Sequence, residues 1–236
     1  MEEFGYPLPP LVQGVLIKRY KRFLADVDLG EAGIVTAHCP NSGSMKGCAL
    51  PGSPVWLSQS DNPKRKLKYT WELAQVPGTL IGINTQIPNK LVKTSVENGE
   101  IEELSGFDRV KAEVKTSDHT RLDLVLEHSV GRKCYVEIKN CTLVEDGVAQ
   151  FPDAVTTRGQ KHLDELVRLV DQGHRGVIFY LIQRMDARVF CPAEAIDPVY
   201  AKKLRQARDR GVEIIIRDTL IDTSRIRVNR AIPLSL

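Results

Sequence analysis

Two carboxylates and one lysine in the middle of the sequence have the residue types and spacing of a phosphate-processing metal site. Asp123 lies in one apolar run (residues 121–127), and Glu137 and Lys139 lie in the next (residues 134–140). Mg²⁺ takes oxygen ligands, usually one or two carboxylates with water and substrate phosphate. A lysine beside them could stabilise the charge that develops on a phosphate. The three residues predict a Mg²⁺ or Mn²⁺ site suited to phosphodiester hydrolysis.

The two apolar runs predict an antiparallel hairpin that brings these residues together. A turn centred near Val130 places Asp123 opposite Glu137, with facing Cβ atoms about 5 Å apart. The two-residue step puts Glu137 and Lys139 on one face of their strand. Facing carboxylates repel unless a cation lies between them. The alternative is a surface hairpin with ordinary salt bridges, and one extra residue in the turn would undo the facing pair.

Two further residues are candidates for the same site. Glu113 lies ahead of Asp123 on a predicted adjoining strand and could be a third acidic ligand, or it could be an exposed strand glutamate. Gln160 lies three residues before Leu163 on the apolar stripe of a predicted helix. It could point into the site or be a satisfied buried amide. His162 lies off that stripe and is interpreted as a solvated surface histidine.

Basic residues alternate with apolar and aromatic ones in two segments of the first half. Residues 17–70 contain nine basic and four acidic residues, although the whole chain has a net charge of only +3. Cations contact phosphates, and tyrosine rings stack on bases. The alternative is that charged barrel strands face water over an aromatic core. The predicted nucleic-acid-binding residues are Lys18, Arg19, Lys21, Arg22, Lys64, Arg65, Lys66, Lys68, Tyr20 and Tyr69.

The pattern of apolar runs changes near residue 84. Before it, short runs broken by Gly, Pro, Asn and Ser predict several short strands, which an OB-like barrel would fit. After it, predicted strands alternate with helices over residues 157–172 and 198–210, each followed by a stopping glycine. A short helix is predicted over residues 89–97. We expect an α/β chain (α+β overall) with domains at residues 1–84 and 85–236.

Composition places limits on the class of protein. The chain has 236 residues, of which 42% are hydrophobic and 27% charged, as is ordinary for a globular protein. No apolar run reaches the roughly 18 residues of a membrane span, and Met1-Glu2-Glu3 does not begin a signal peptide. Five scattered cysteines favour reduced thiols over disulfides or zinc. We expect a cytoplasmic protein with no membrane partner, and the sequence sets no oligomeric state.

Five blocks in order along the chain match a known family. They are Leu-Ile-Lys-Arg-Tyr-Lys-Arg-Phe-Leu-Ala-Asp (16–26), His-Cys-Pro-Asn-Ser-Gly-Ser-Met (38–45), Lys-Tyr-Thr-Trp-Glu-Leu (68–73), Cys-Tyr-Val-Glu-Ile-Lys-Asn-Cys-Thr-Leu (134–143) and Phe-Pro-Asp-Ala-Val-Thr-Thr-Arg-Gly-Gln-Lys-His-Leu (151–163). On these blocks the chain resembles the sugar fermentation stimulation protein A family from end to end.

The resemblance implies an N-terminal OB-like barrel followed by an α/β PD-(D/E)xK nuclease-like domain. It also implies DNA binding and a regulatory link to sugar utilisation, especially of maltose. Asp123, Glu137 and Lys139 carry over directly from the nuclease motif, and Glu113 and Gln160 carry over less directly. Leu122 stands before Asp123, where the name of the motif has a proline.

Three functions therefore compete. The first is a Mg²⁺- or Mn²⁺-dependent nuclease acting on nucleic acid, most readily DNA. The second is a sequence-tolerant, non-catalytic DNA-binding transcriptional regulator that keeps the nuclease fold for binding only. The third is a sugar-metabolism enzyme, which only the family name favours. Paired carboxylates do serve glycosidases, but a lysine between strands and basic neighbouring segments fit phosphate better.

Overall fold

The computed structural model describes residues 4–117, 120–129 and 131–236. The acidic N-terminal residues Met1, Glu2 and Glu3 and the predicted turn centre Val130 lie outside the described residues. The first described strand, β1 (Tyr6–Pro7), pairs with the last strand of the chain, at residues 225–231, rather than with its neighbours in sequence. The two ends of the chain therefore meet in one sheet.

The first large sheet is a barrel, as expected. Its strands are β2 (Leu11–Tyr20), β3 (Leu24–Asp28), β4 (Ile34–His38), β5 (Pro54–Gln59), β6 (Tyr69–Val76) and β7 (Thr79–Gly82). Neighbours in the order β4-β3-β2-β5-β6-β7 pair antiparallel, and a short parallel pairing of β4 with β6 closes the barrel. Inward-pointing side chains such as Leu16, Val27, Leu57 and Trp71 are almost completely buried. This core gives the barrel its own hydrophobic centre.

The second large sheet has seven strands in the order β1-β16-β15-β13-β10-β9-β8. Its remaining strands are β8 (Arg109–Lys115), β9 (Arg121–Glu127), β10 (Cys134–Cys141), β13 (Arg175–Ile182), β15 (Glu213–Ile221) and β16 (Arg225–Ala231). The central strands β10, β13 and β15 run parallel, and β8 and β9 add antiparallel to one side. A separate small sheet contains β11 (Leu143–Glu145), β12 (Val148–Phe151) and β14 (Val189–Pro192).

Helices cover both faces of this sheet, which confirms the α/β expectation. They are α1 (Ile87–Glu97), α2 (Thr157–Asp171) and α3 (Pro198–Asp209). One core joins Leu91 of α1 to Val136 of β10, and the other joins Leu166 of α2 to Tyr180 of β13. Because both faces are buried, the central strands are nearly continuous apolar runs.

The helix bounds lie within two residues of the predicted ones. Thr156 caps α2 by accepting a hydrogen bond from Gly159 N, and Asp197 caps α3 by accepting one from Tyr200 N. The short strands β1, β11, β12 and β14 and the last strand β16 were not predicted. β7 ends at Gly82 and α1 begins at Ile87; the domain division at residue 84 itself stays a prediction.

The hairpin of β9 and β10 has the predicted register. Leu126 pairs with Cys134, Val125 with Tyr135, and Leu124 with Val136. The paired ladder ends there, one step before Asp123 and Glu137. Beyond it, the Asp123 carboxylate accepts a hydrogen bond from the backbone N–H of Ile138, 2.8 Å from Oδ2. The backbone pairing of β9 with β10 thus ends next to the two carboxylates, where the Asp123 side chain accepts the hydrogen bond from the backbone of β10.

Candidate metal centre

Glu137 lies on β10, in the middle of the sheet, and its residue is only 2% exposed. Its Oε1 lies 2.6 Å from Lys139 Nζ and also contacts His162 Nδ1. Its Oε2 is buried and has no hydrogen-bond partner among the described residues. A buried carboxylate oxygen without a partner is costly, because burial removes the water that would otherwise hydrogen-bond to it. The free oxygen is therefore the position where a ligand would be stabilised most.

Asp123 is held beside this carboxylate by contacts to two elements. Its Oδ2 accepts from Ile138 N, and its Oδ1 accepts from Asn89 Nδ2 of α1 at 2.7 Å. Asn89 was not among the residues predicted from the sequence. Its contact with Asp123 comes from the packing of α1 against the sheet, which no local pattern in the sequence reports.

The two carboxylates have opposite pKa shifts. Burial, and then the charge of Glu137, raise the pKa of Asp123 to about 6. Burial also favours the neutral form of Glu137, but the hydrogen bond from His162 and the charge of Lys139 outweigh it, so the pKa of Glu137 is lowered. Glu137 is therefore a stable anion near neutral pH, and Asp123 is the carboxylate that carries the electrostatic penalty.

The interpretation of His162 as a solvated surface histidine is wrong. The residue is 5% exposed, and its Nδ1 lies against Glu137 Oε1. Nε2 accepts from Arg158 Nε at 3.4 Å, which places the ring proton on Nδ1, facing the carboxylate. His162 lies four residues before Leu166 on the buried face of α2. That spacing was the signal in the sequence that could have identified it.

Gln160 and Glu113 make no hydrogen bond or ion pair with Asp123, Glu137 or Lys139 among the described contacts. Gln160 Nε2 donates to both carboxylate oxygens of Asp197, at 3.0 and 3.1 Å, and so braces the start of α3. Glu113 is exposed, lies 3.8 Å from Arg121 in an ion pair and has a left-handed backbone with φ of 55°. It does line the same surface cavity as Asp123.

The donor set fits a hard divalent cation that keeps some of its water. Within residues 4–117, 120–129 and 131–236, no three His, Cys, Asp or Glu side chains converge on one point to form a closed metal cage. Mg²⁺ does not need such a cage, since it usually binds through one or two carboxylates plus water and phosphate. Asp123 and Glu137 supply two carboxylates, one of them with the unpartnered Oε2.

Arg19 of the basic segments has a structural role in the barrel. Its guanidinium donates to the carbonyl oxygens of Arg22 and Asn41, both at 2.9 Å, of Gly43 at 3.0 Å and of Ser44 at 3.4 Å. These bonds use most of the donors of the group. Arg19 therefore holds the barrel loop (residues 40–45) in shape, a contact that sequence reasoning did not anticipate.

The predicted aromatic residues are also engaged in local contacts. The Tyr20 hydroxyl donates to Asp26 at 3.0 Å, and Lys18 lies 3.6 Å from the same carboxylate and 5.4 Å from the Tyr20 ring centre. Tyr69 is half-buried against the barrel core, and Arg65 donates to Thr70 Oγ1 at 2.6 Å. These residues stabilise the barrel surface, and their role in nucleic-acid binding stays a prediction.

The remaining basic side chains cluster at one end of the barrel. The pairs Leu24–His38 and His38–Thr70 bring the β2–β3 turn and the β5–β6 loop to the end of β4. None of the five cations there has an ion-pair partner within the described part of the chain. We call this set the basic barrel end: Lys21, Arg22, Lys64, Lys66 and Lys68, all exposed.

The fold defines a class of protein: an OB barrel followed by an α/β domain that is consistent with a nuclease-like fold. The family described as "SfsA N-terminal OB domain" matches residues 17–83, and "Sugar fermentation stimulation protein RE domain" matches residues 86–225. The chain belongs to the sugar fermentation stimulation protein family.

Relatives match along nearly the whole chain. A sugar fermentation stimulation protein homologue of Geobacter sulfurreducens is 56% identical over 224 residues, covering 95% of this chain and 96% of the relative. One from Pelobacter propionicus is 54% identical over 229 residues, covering 97% and 99%. A solved structure described as Pyrococcus furiosus SfsA in complex with Ca²⁺ is 26% identical with a TM-score of 0.89, covering 99% of this chain and 100% of that one. No helix in the described ranges is long and apolar enough to cross a membrane.

Proposed function

We propose that the protein is a divalent-metal-dependent nuclease that binds nucleic acid, most readily DNA, through its barrel. One observation carries the proposal: buried Glu137 directs one carboxylate oxygen to Lys139 and His162, and its other oxygen has no hydrogen-bond partner among the described residues. Asp123 and Glu137 Oε2 would hold Mg²⁺ or Mn²⁺. The description of the Pyrococcus relative as a Ca²⁺ complex supports a cation of this kind, since Ca²⁺ and Mg²⁺ both prefer oxygen ligands.

The protein's own residues suit phosphodiester hydrolysis. A bound divalent cation supplies Lewis-acid stabilisation of phosphate charge and a more acidic water. Lys139 adds a fixed positive charge, and its side chain is 12% exposed, so it lies at the floor of an accessible cavity. Asn89 and His162 keep the two carboxylates in place, as outer-shell partners do in metal sites.

The test is cleavage of labelled single-stranded, duplex and branched DNA and RNA by the full chain with Mg²⁺ or Mn²⁺. Asp123→Ala is expected to abolish cleavage. Glu113→Ala is the matched control, because it removes an exposed carboxylate that lines the same cavity, and we expect it to keep most of the activity. Absence of cleavage on every substrate would count against the proposal.

A second function has separate support in the basic barrel end. Its five unpaired cations suit phosphate contacts and do not depend on the metal site. A non-catalytic DNA-binding regulator linked to sugar metabolism would use this surface alone. Wild-type protein that binds DNA but never cuts it, with Asp123→Ala binding equally well, would favour this alternative.

A further inference from the structure

Two cavities flank the carboxylates and share one lining residue. One, of about 400 Å³, is lined by Asp123, by Asn89 and by the lysines of α1. The other, also about 400 Å³, is lined by Lys139, by Arg158 at the start of α2 and by the barrel loop. Thr85 lines both cavities. The two cavities adjoin at Thr85, with Asp123 lining one and Lys139 lining the other, and we call the pair the groove.

The barrel loop forms a fixed wall of the second cavity. Arg19 binds its carbonyl groups from the barrel side, as described above. From the other domain, the Asp153 carboxylate accepts from Ser44 Oγ at 3.0 Å and from Met45 N at 3.3 Å. A Cβ atom on Gly43 would lie only 2.7 Å from Asp153 Oδ2, so the loop and Asp153 already pack as closely as a glycine allows. The second cavity is thus lined by the barrel loop from one domain and by Asp153 from the other.

Among the described residues, four cations and three carboxylates line the groove. Lys90 and Lys93 line the first cavity with Glu113 and Asp123, and Lys139 and Arg158 line the second with Asp153, so each cavity offers two cations to a phosphate backbone. Gln150 also lines the second cavity, as does Phe151, whose ring packs against Tyr180 and Tyr200 of the core. A side-chain amide can hydrogen-bond to a base edge. The volume of the second cavity, about 400 Å³, is that of a small-molecule site, so it has room for a nucleotide.

We propose that this groove takes a single strand of nucleic acid and that the barrel loop excludes duplex from the cluster. The inference rests on the proposed function for its reacting centre. A single strand can turn its backbone towards Lys139 while a base enters the second cavity. A duplex keeps its bases paired and stacked, so none of them can enter the second cavity. The barrel loop would also obstruct the approach of a duplex to Lys139.

Binding measurements test the strand preference directly. Fluorescence anisotropy with the full chain would compare a labelled 12-nucleotide strand, a blunt duplex of the same sequence and a duplex with a single-stranded tail, each with and without Ca²⁺. We expect the single strand and the tailed duplex to bind at least tenfold more tightly than the blunt duplex. Equal or tighter binding of the blunt duplex would overturn the inference.

Ser42→Tyr tests the location of the strand. Ser42 is exposed and lines the second cavity, so a tyrosine there would fill it. We expect at least tenfold weaker single-strand binding, with Ca²⁺ affinity by calorimetry and the melting temperature close to wild type. Ser235→Tyr, on the exposed C-terminal segment, is the matched control and should change nothing. Unchanged single-strand binding by Ser42→Tyr would overturn the inference.

The binding measurements and the cleavage assay together separate this inference from the proposed function. Wild-type protein that prefers single strands but binds neither Ca²⁺ nor Mg²⁺ would remove the nuclease proposal and leave strand selection supported. Metal-dependent cutting within a blunt duplex, at the rate seen on a single strand, would remove strand selection and leave the nuclease proposal supported.

Discussion

Lys139 Nζ lies 2.6 Å from Oε1 of Glu137, while Oε2 of the same carboxylate has no partner in the described chain. The ammonium group and the His162 ring both contact Oε1, so the buried Oε2 is the atom of this carboxylate that a bound cation would satisfy. Removing one member of a buried ion pair normally costs several kcal/mol, because the other charge is left uncompensated. The ion pair with Lys139 therefore stabilises Glu137 Oε1, whereas Oε2 has no stabilising contact within the described residues.

Divalent-cation binding should depend on Glu137 far more than on Glu113. Glu137→Gln removes the charge at the unpartnered oxygen, and we expect Mg²⁺ and Ca²⁺ affinity to fall at least tenfold. Glu113→Gln changes an exposed carboxylate that is paired with Arg121, and its effect should stay within about threefold. Isothermal titration calorimetry measures both. Equal losses in the two variants would place Glu113 among the ligands instead.

Asp123→Asn should stabilise the metal-free protein at pH 8. A shift of the Asp123 pKa from 3.8 to about 6 corresponds to about 3 kcal/mol of destabilisation once the group is ionised in both states. Because the folded pKa is raised, this penalty is absent below pH 4, grows between pH 4 and pH 6 and is fully present above pH 6. The amide forfeits one of two accepted hydrogen bonds, worth about 1 kcal/mol.

The net expectation is therefore a gain of about 1–2 kcal/mol in the free energy of unfolding at pH 8 and no gain at pH 4. Urea denaturation in EDTA buffer, at both pH values, measures the difference from wild type. A variant less stable than wild type at pH 8 would show that burial does not penalise the Asp123 charge.

His162 should act on the metal site through Glu137. Loss of an outer-shell partner typically lowers metal affinity 10–100-fold. We expect His162→Ala to weaken Ca²⁺ binding by about tenfold, and His162→Asn, which keeps an N–H donor near the position of Nδ1, to recover most of it. Calorimetry gives the affinity, and melting temperatures monitor the fold. Equal Ca²⁺ affinities for the two variants would mean that His162 only fills space in the core.

The basic barrel end should set the salt dependence of nucleic-acid binding. Each phosphate contact to a single strand contributes about 0.7 to the slope of log Kd against log salt concentration. Lys64→Gln combined with Lys66→Gln should lower the slope by about 1.4. The matched control is Lys202→Gln with Lys203→Gln on α3, which removes the same charge elsewhere. A control that lowers the slope equally would refute a specific role for the barrel end.

The sequence predicts correctly those strands, helices and pairings that depend on residues close together in the chain. The apolar runs around Asp123 and Glu137 identify buried strands, and the short turn between them gives the register of the hairpin. The apolar spacing and the glycine that follows each helix give the bounds of α2 and α3. These features depend on residues close together in sequence, so one sequence suffices to predict them.

The contacts that complete the site connect residues far apart in the chain. Asn89 reaches Asp123 only because α1 packs over β9 and β10, and Arg19 reaches the barrel loop only because the barrel closes. Gln160 has the expected position on its helix, but its side-chain amide donates to Asp197 of the α3 cap instead of to the cluster. His162 was missed because the apolar stripe was taken from leucine and valine alone, which hid a polar residue on the same buried face.

The most direct measurement of the central claim is anomalous diffraction from crystals of this protein soaked in Mn²⁺. We expect one strong peak between Asp123 and Glu137, with Oε2 of Glu137 about 2.1–2.3 Å from the ion, near the Mg²⁺–oxygen distance. The Lys139 contact to Oε1 should persist. A saturating soak that leaves this position empty, with Glu137 bound only to Lys139 and His162, would contradict the claim that these residues form a metal centre.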